Sequence, residues 1–315
     1  MDRNDVDWKG YWPASPTPFT ASGELDEASL RQLLRFYLRE GMHGVLINGT
    51  SGEWFSQSEE ERRRVAEISV EELGGKIPVV IGCTTFNAGH TAELGRHARS
   101  IGADGFLCTP PPYSQPSPDE IVAFYETVAR AVDLPLMVYN WPPGTNVDIS
   151  TEVAVRLCDV PNIVAIKEST KTEAQFYRTL AAVVDRVRVF GNFMNPVGVA
   201  ALRQIGGDGF VGGGTIFGAP DAEFWNALWR GDYAFCEAHA ERVAKLTRQI
   251  WNSDWTGKFG GGQSQVKAIM AMLGQPGGHP RPPRLPITDQ ATLDGLRAVL
   301  ASVGLPAREA VGSAS

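Results

Sequence analysis

Lys167 closes the apolar run of "IVAIKEST" (163–170), Tyr139 closes that of "LPLMVYN" (134–140), and Thr50 and Ser51 sit in the glycine loop "NGTSGE" (48–53). An ammonium is costly to take out of water unless it is paired or loses its proton. A lysine ending an apolar strand therefore either reaches solvent or is kept as a neutral amine, the nucleophile of Schiff-base catalysis. A nearby phenol can hydrogen-bond the adduct and pass protons. Two hydroxyls on a loop with accessible backbone N–H groups form a seat for a carboxylate. Each feature also has a plainer reading: a lysine that snorkels or pairs with Glu168, a tyrosine satisfied in a core, an ordinary glycine turn.

The elements that carry these residues repeat along the chain. Strand patterns occur at 11–15, 43–48, 77–82, 104–109, 134–140, 163–168, 186–192 and 208–213, with segments of helical periodicity between them. In "SQSEEERRRVAEISVEELGG" Ser58 is an N-cap with Glu61 three residues on, and Gly74-Gly75 is the stop. In "SPDEIVAFYETVARAVDLP" Ser117 caps, Pro118 takes the first helical position and Glu120 completes a capping box. "EGMHGVLI", "IGADGFLC" and "IGGDGFVG" repeat one joint, a helix-ending glycine three residues before a glycine that opens a strand.

Eight strand–helix units predict an α/β protein of the (β/α)8 TIM-barrel class rather than a doubly wound sheet, since no GxGxxG follows a strand. The barrel is expected over 1–220 and a C-terminal helical extension, packed on it, over 221–315. "QPGGHPRPPRLPITD" (275–289) reads as an extended surface connector and 289–303 as a last helix. Trp225, Trp229, Trp251 and Trp255 read as packing or subunit-contact residues.

A barrel gathers the C-terminal ends of its strands at one mouth. That rule selects Asn48, Thr50, Ser51, Thr109, Tyr139, Asn140, Lys167, Glu168, Asn192 and Gly212 to Gly214. Strand alternation puts Ile163, Ala165 and Lys167 on one face and Val164 and Ile166 on the other.

The bulk numbers narrow the class further. A net charge of −7 and a composition of 43% hydrophobic and 21% charged residues describe a globular protein without the basic surface of a nucleic-acid or anionic-membrane binder. Cys83, Cys108, Cys158 and Cys236 form no CxxC pair, which predicts reduced thiols and a cytoplasmic location. No stretch reaches a membrane span, and His43, His90, His97, His239 and His279 show no metal-ligand spacing.

"NGTSGE", "TPPPYSQPS" with Tyr113, "VYNWPPGT" with Tyr139 and "IVAIKEST" with Lys167 together resemble the signature stretches of the dihydrodipicolinate synthase and N-acetylneuraminate lyase family. They come in the same order and at similar spacing, and the likeness runs from about residue 10 to 300. The resemblance implies a barrel whose Lys167 condenses with the ketone of pyruvate or a related 2-keto acid, with an aldehyde as the other substrate. It further implies Tyr139 as proton shuttle, Thr50 and Ser51 as holders of the keto-acid carboxylate, and Tyr113 as a residue handed across a subunit contact. A homo-oligomer, dimer or tetramer, follows. The protonated imine would be the electron sink, so no metal or organic cofactor is expected.

The departures concern the second substrate. The synthase branch has an arginine where this chain has Gly144, and the sialic-acid branch has acidic residues where this chain has Asn192 and Phe193, so neither aspartate semialdehyde nor sialic acid is expected. Gly49, Gly144, Asn192, Val211 and Trp141 are expected to line the substrate pocket, with Trp141, Phe193 and Trp54 as walls suited to an apolar or aromatic partner. Other readings of the chain are a 2-keto-3-deoxy sugar acid dehydratase or hydratase-aldolase using the same lysine, a phosphosugar enzyme using "GGDGFVGGGTIFGAP", and a non-catalytic keto-acid sensor. No lysine or arginine accompanies that glycine run between 204 and 229.

Overall fold

The computed structural model describes residues 1–170 and 172–305. Eight parallel strands close into a barrel in chain order: β1 (Gly10–Ala14), β2 (Val45–Ile47), β3 (Val79–Gly82), β4 (Gly105–Cys108), β5 (Leu136–Asn140), β6 (Ile163–Glu168), β7 (Arg188–Phe190) and β8 (Gly209–Gly213). β8 returns to pair with β1 over its whole length. The connecting helices are α1 (Glu27–Arg39), α2 (Glu59–Leu73), α3 (Ala88–Ser100), α4 (Pro118–Ala131), a single turn α5 (Pro142–Thr145), α6 (Thr151–Leu157), α7 (Glu173–Val183), α8 (Pro196–Gln204) and α9 (Ala219–Arg230). The extension adds α10 (Tyr233–Ile250), α11 (Gly262–Met272) and α12 (Gln290–Ser302).

The local chemistry accounts for these boundaries. Ser58 and Glu61 make both bonds of a capping box at the start of α2, and Ser117 and Glu120 do the same for α4, with Pro118 at its first position. The two glycines of the repeated joint have different reasons. Gly102 (φ +82°) ends a helix in the left-handed region. Gly105 opens a strand against the indole of Trp8, where a Cβ would collide with the ring. Trp8, Trp12 and Phe190 fill the barrel interior toward that end, with ring centroids 5.6 and 4.9 Å apart, and Ala14, Leu46, Val80, Leu107, Met137 and Ala165 continue the packing inside. A second apolar layer lies between the sheet and the helices.

Helix α9 packs on β1 and completes the eighth unit, so the boundary expected after residue 220 falls inside it. Helix α10 packs on α8, α9 and α12, and Phe217, Leu246, Ile250, Ile269, Leu296 and Leu300 form a third core there. Trp225 is fully buried, Trp229 stands edge-on to His43, and Trp251 and Trp255 pack on each other. Residues 306–315 of the expected extension lie outside the described residues.

The segment expected as a plain surface connector is a strap fastened to the barrel. His279 pairs with Phe19 in an antiparallel bridge. Arg281 makes a bidentate ion pair with Glu61 (2.6 and 2.7 Å) and donates to the carbonyls of Gly23 and Ser56. The prolines signal an extended chain correctly, but the buried anchors between them have no local sequence pattern. No helix of the described residues is long and apolar enough to cross a membrane.

Candidate active site

The register of β5 and β6 builds the centre of the site. Tyr139 lies beside Lys167 and Asn140 beside Glu168, while a shift between Leu136 and Met137 leaves Val164 as an extra residue. This bulge corrects the simple alternation expected for β6: Ile163 joins the outer core, and Val164 and Ala165 both face the barrel interior. After it, Ile166 points out and Lys167 points in, so the bulge sets the lysine's direction.

Lys167 is buried, with its Nζ 3.9 Å from the centroid of the Tyr139 ring. It makes no hydrogen bond or ion pair among the described residues. Burial alone lowers its pKa to about 7, so neutral amine is available near neutral pH. The pairing with Glu168 that the sequence left open is absent, because adjacent strand residues face opposite sides. Burial pushes the Tyr139 phenol upward, against the smaller opposing effect of the Thr50 and Ser169 side chains. It is a proton donor at neutral pH, with two hydroxyl-bearing neighbours toward which a proton can pass.

The loop after β2 carries Gly49, Thr50 and Ser51 between two non-glycine residues in the left-handed region, Asn48 (φ +54°) and Glu53 (φ +55°). Such backbone is costly and persists where surroundings over-determine it. Asn48 is held by a 2.8 Å bond to the Arg62 carbonyl. Ser51 reaches across toward Gly213 of β8, where its Oγ would be in van der Waals contact with a Cβ. Glu53 is fully buried and pairs with Lys267 of α11 (2.5 Å).

Behind the strand ends, Asn140 donates to Glu168 (2.9 Å), Asp148 and the Ile149 carbonyl, and accepts from the Ile149 N–H. Glu168 also accepts from the Thr170 N–H, and burial raises its pKa to about 8. A carboxyl whose folded-state pKa is raised loses stability as pH rises from its unfolded value, near 4.5, through 8. Glu168→Gln keeps the acceptor for Asn140. It is expected to be more stable than the parent by roughly 1–3 kcal/mol at pH 9, with the difference vanishing below pH 4.5. Thermal melts of the two proteins across pH 4 to 9 measure this, and a pH-independent difference would refute it.

The expected lining residues divide. Val211 packs on the inner cluster, and Trp141 stacks beside Tyr139 with centroids 6.1 Å apart and planes 19° apart. Gly144 lies under that indole: a Cβ on it would strike Trp141 Cδ1 and Nε1. An indole therefore borders Gly144, the position at which the resemblance implies an arginine in the synthase branch. Asn192 is exposed, and its carbonyl accepts from Asn195. Phe193 is a correction: it is fully buried against Phe176 and Trp225, in the core rather than at a pocket wall. Trp54 packs over the Arg62 guanidinium. Tyr113 is 90% exposed on the β4–α4 loop in the left-handed region (φ +75°). The glycines after β8 have an internal reason: Tyr11 fills the place of a Gly212 Cβ and donates to the Gly214 carbonyl.

Sequence reasoning missed three contributors. Ser169 follows the strand that was singled out and could have been included with it. Gln263, whose side-chain amide donates to the Thr50 carbonyl (3.0 Å), and Lys267 come from the extension more than 200 positions away, with no signal linking them to the loop.

Comparison with known proteins adds to this geometry. A family model described as "Dihydrodipicolinate synthetase family" matches residues 7–302. An uncharacterized DapA-like lyase of Rhizobium meliloti is 33% identical over 294 residues, 93% of this chain and 95% of that protein. A 4-hydroxy-tetrahydrodipicolinate synthase of Phenylobacterium zucineum is 36% identical over 251 residues, 78% of this chain and 83% of its own length. The solved structure of a prophage protein of the dihydrodipicolinic acid synthase family from E. coli K12, in complex with pyruvate, superposes with a TM-score of 0.86 at 26% identity, covering 95% of this chain and 100% of that one.

Proposed function

This chain belongs to the dihydrodipicolinate synthetase family, a family of lyases, and from that premise we propose that it is a Schiff-base lyase acting on pyruvate or another 2-keto acid with an aldehyde partner. The observation that carries the reading is the Lys167 amine, buried, unpaired among the described residues and titrating near 7 against the ring of Tyr139. The neutral amine attacks the keto carbon, and the carbonyl oxygen leaves as water after two protonations. Tyr139, backed by Thr50 and Ser169, is the donor in place for them. The protonated imine then accepts the electron pair left when a C3–H or C3–C4 bond breaks, giving an enamine. The enamine adds to an aldehyde carbon, or is reprotonated, and hydrolysis returns the free lysine. Thr50 and Ser51 hold the keto-acid carboxylate through the loop's hydroxyls and N–H groups. No cofactor enters this sequence.

For the aldehyde, the indole of Trp141 over Gly144 supports an apolar, aromatic-accepting subsite in place of a carboxylate grip. The exposed Tyr113 supports an oligomer in which this side chain completes a neighbour's site.

Borohydride added with pyruvate should leave one pyruvate-derived mass on Lys167; an adduct elsewhere, or none with any 2-keto acid, removes the proposal. Screening pyruvate with a panel of aldehydes, and 2-keto-3-deoxy acids in reverse, then identifies the partner. Trp141→Ala is expected to lower the preference for an aromatic over a small aliphatic aldehyde, measured as a ratio of kcat/KM, by about tenfold. An unchanged ratio rejects the aromatic subsite.

A further inference from the structure

The loop that seats the carboxylate is fastened by side chains of the C-terminal extension. The Thr50 carbonyl accepts two N–H groups, that of Glu53 (3.2 Å) and the side-chain amide of Gln263 on α11 (3.0 Å). Gln263 makes no other side-chain hydrogen bond among the described residues, and its Oε1 is buried without a partner. Three residues further along the loop, Glu53 holds its left-handed backbone while its carboxylate meets Lys267 and the N–H of Arg281. Lys267 in turn donates to the carbonyls of Thr17 and His279, and its ammonium and the Arg281 guanidinium both lie over the Phe19 ring, 4.7 and 4.0 Å from its centroid.

We propose that the helical extension is the positioning element of the keto-acid seat: Gln263 sets the Thr50 peptide directly, and the Glu53–Lys267 pair holds the far end of the loop in the conformation that peptide requires. These are positioning residues, acting on substrate through Thr50 and Ser51. Two observations favour this over general stabilisation. The side chain of Gln263 is committed to the backbone of one seat residue. The loop's two left-handed non-glycine residues are each held by a specific bond, one from the barrel and one from the extension. A seat built this way binds a carboxylate equally in the ground state and in the imine, so its loosening raises the substrate concentration required and leaves the limiting rate in place.

The inference rests on the Schiff-base reading, and the experiment separates the two. Borohydride inactivation is followed against pyruvate concentration for the parent protein and for Gln263→Met, which keeps length and drops the donor. The half-saturating pyruvate concentration is expected to rise roughly three- to tenfold with the limiting rate within about threefold. The double change Glu53→Gln with Lys267→Met removes both charges together, so neither is left orphaned, and is expected to raise it further. If the parent gives no pyruvate adduct, the Schiff-base reading itself fails. If the parent is trapped and Gln263→Met keeps the same half-saturation, or loses limiting rate and melting temperature together without a change in it, the positioning role is overturned.

Discussion

Lys167→Met is expected to abolish the borohydride-trapped pyruvate adduct and to reduce turnover at least about 1,000-fold, because it removes the nucleophile while leaving most of the apolar stem. The same variant is expected to be more stable than its parent. An amine with an unfolded-state pKa near 10.5 and a folded-state pKa near 7 binds its proton more weakly once folded, so below pH 7 the protein carries the full cost of burying that charge. The cost shrinks as pH rises from 7 to 10.5. It amounts to roughly 2–5 kcal/mol at neutral pH. Melting curves of parent and variant should therefore differ most at and below pH 7 and converge as pH rises toward 10.5. A difference constant in pH would mean that Lys167 is not a desolvated amine. In the parent, the rate of adduct formation should rise with pH through an acid limb near 7, where the neutral amine becomes the main form.

The second large effect is expected at Tyr139. Tyr139→Phe keeps the ring beneath the amine and the stacking with Trp141, and removes only the hydroxyl. Loss of a positioned proton donor lowers rates by about 10²–10⁴-fold, and kcat should fall by that order. The adduct on Lys167 should still form on longer incubation, since the nucleophile is untouched. Mass spectrometry of the trapped protein beside steady-state turnover separates the two steps. Retention of kcat within a few-fold would remove Tyr139 from the proton route and leave it a packing residue, the plainer reading of a buried tyrosine.

The contrast between these two residues and Phe193 shows what a strand-end rule can and cannot select. Polar residues just past apolar runs gather at one mouth, which selects Lys167, Tyr139 and Thr50, and these are neighbours in the fold. Phe193, expected at a pocket wall from its place beside Asn192, lies in the core. An apolar residue at a strand end is satisfied in either place, so its type carries no direction. Glu168 illustrates the same limit from the polar side: its type suggested a partner for Lys167, and alternation turned it toward Asn140.

By itself the sequence determined the barrel, its eight units, the capped starts of α2 and α4 and the identity of the amine, phenol and hydroxyl residues, because each of these is written in local periodicity, capping chemistry and residue type. Tertiary structure alone decided that β6 carries a bulge, that Lys167 has an aromatic face and no counter-ion among the described residues, that Trp141 covers Gly144, and that α11 and the proline-bearing strap hold the loop of Thr50. The physical reason is range. A hydroxyl or an amine declares its chemistry wherever it stands, but its pKa and its direction depend on groups brought to it by chain closure from more than 200 positions away, and a side chain's type does not encode which neighbours the fold will supply.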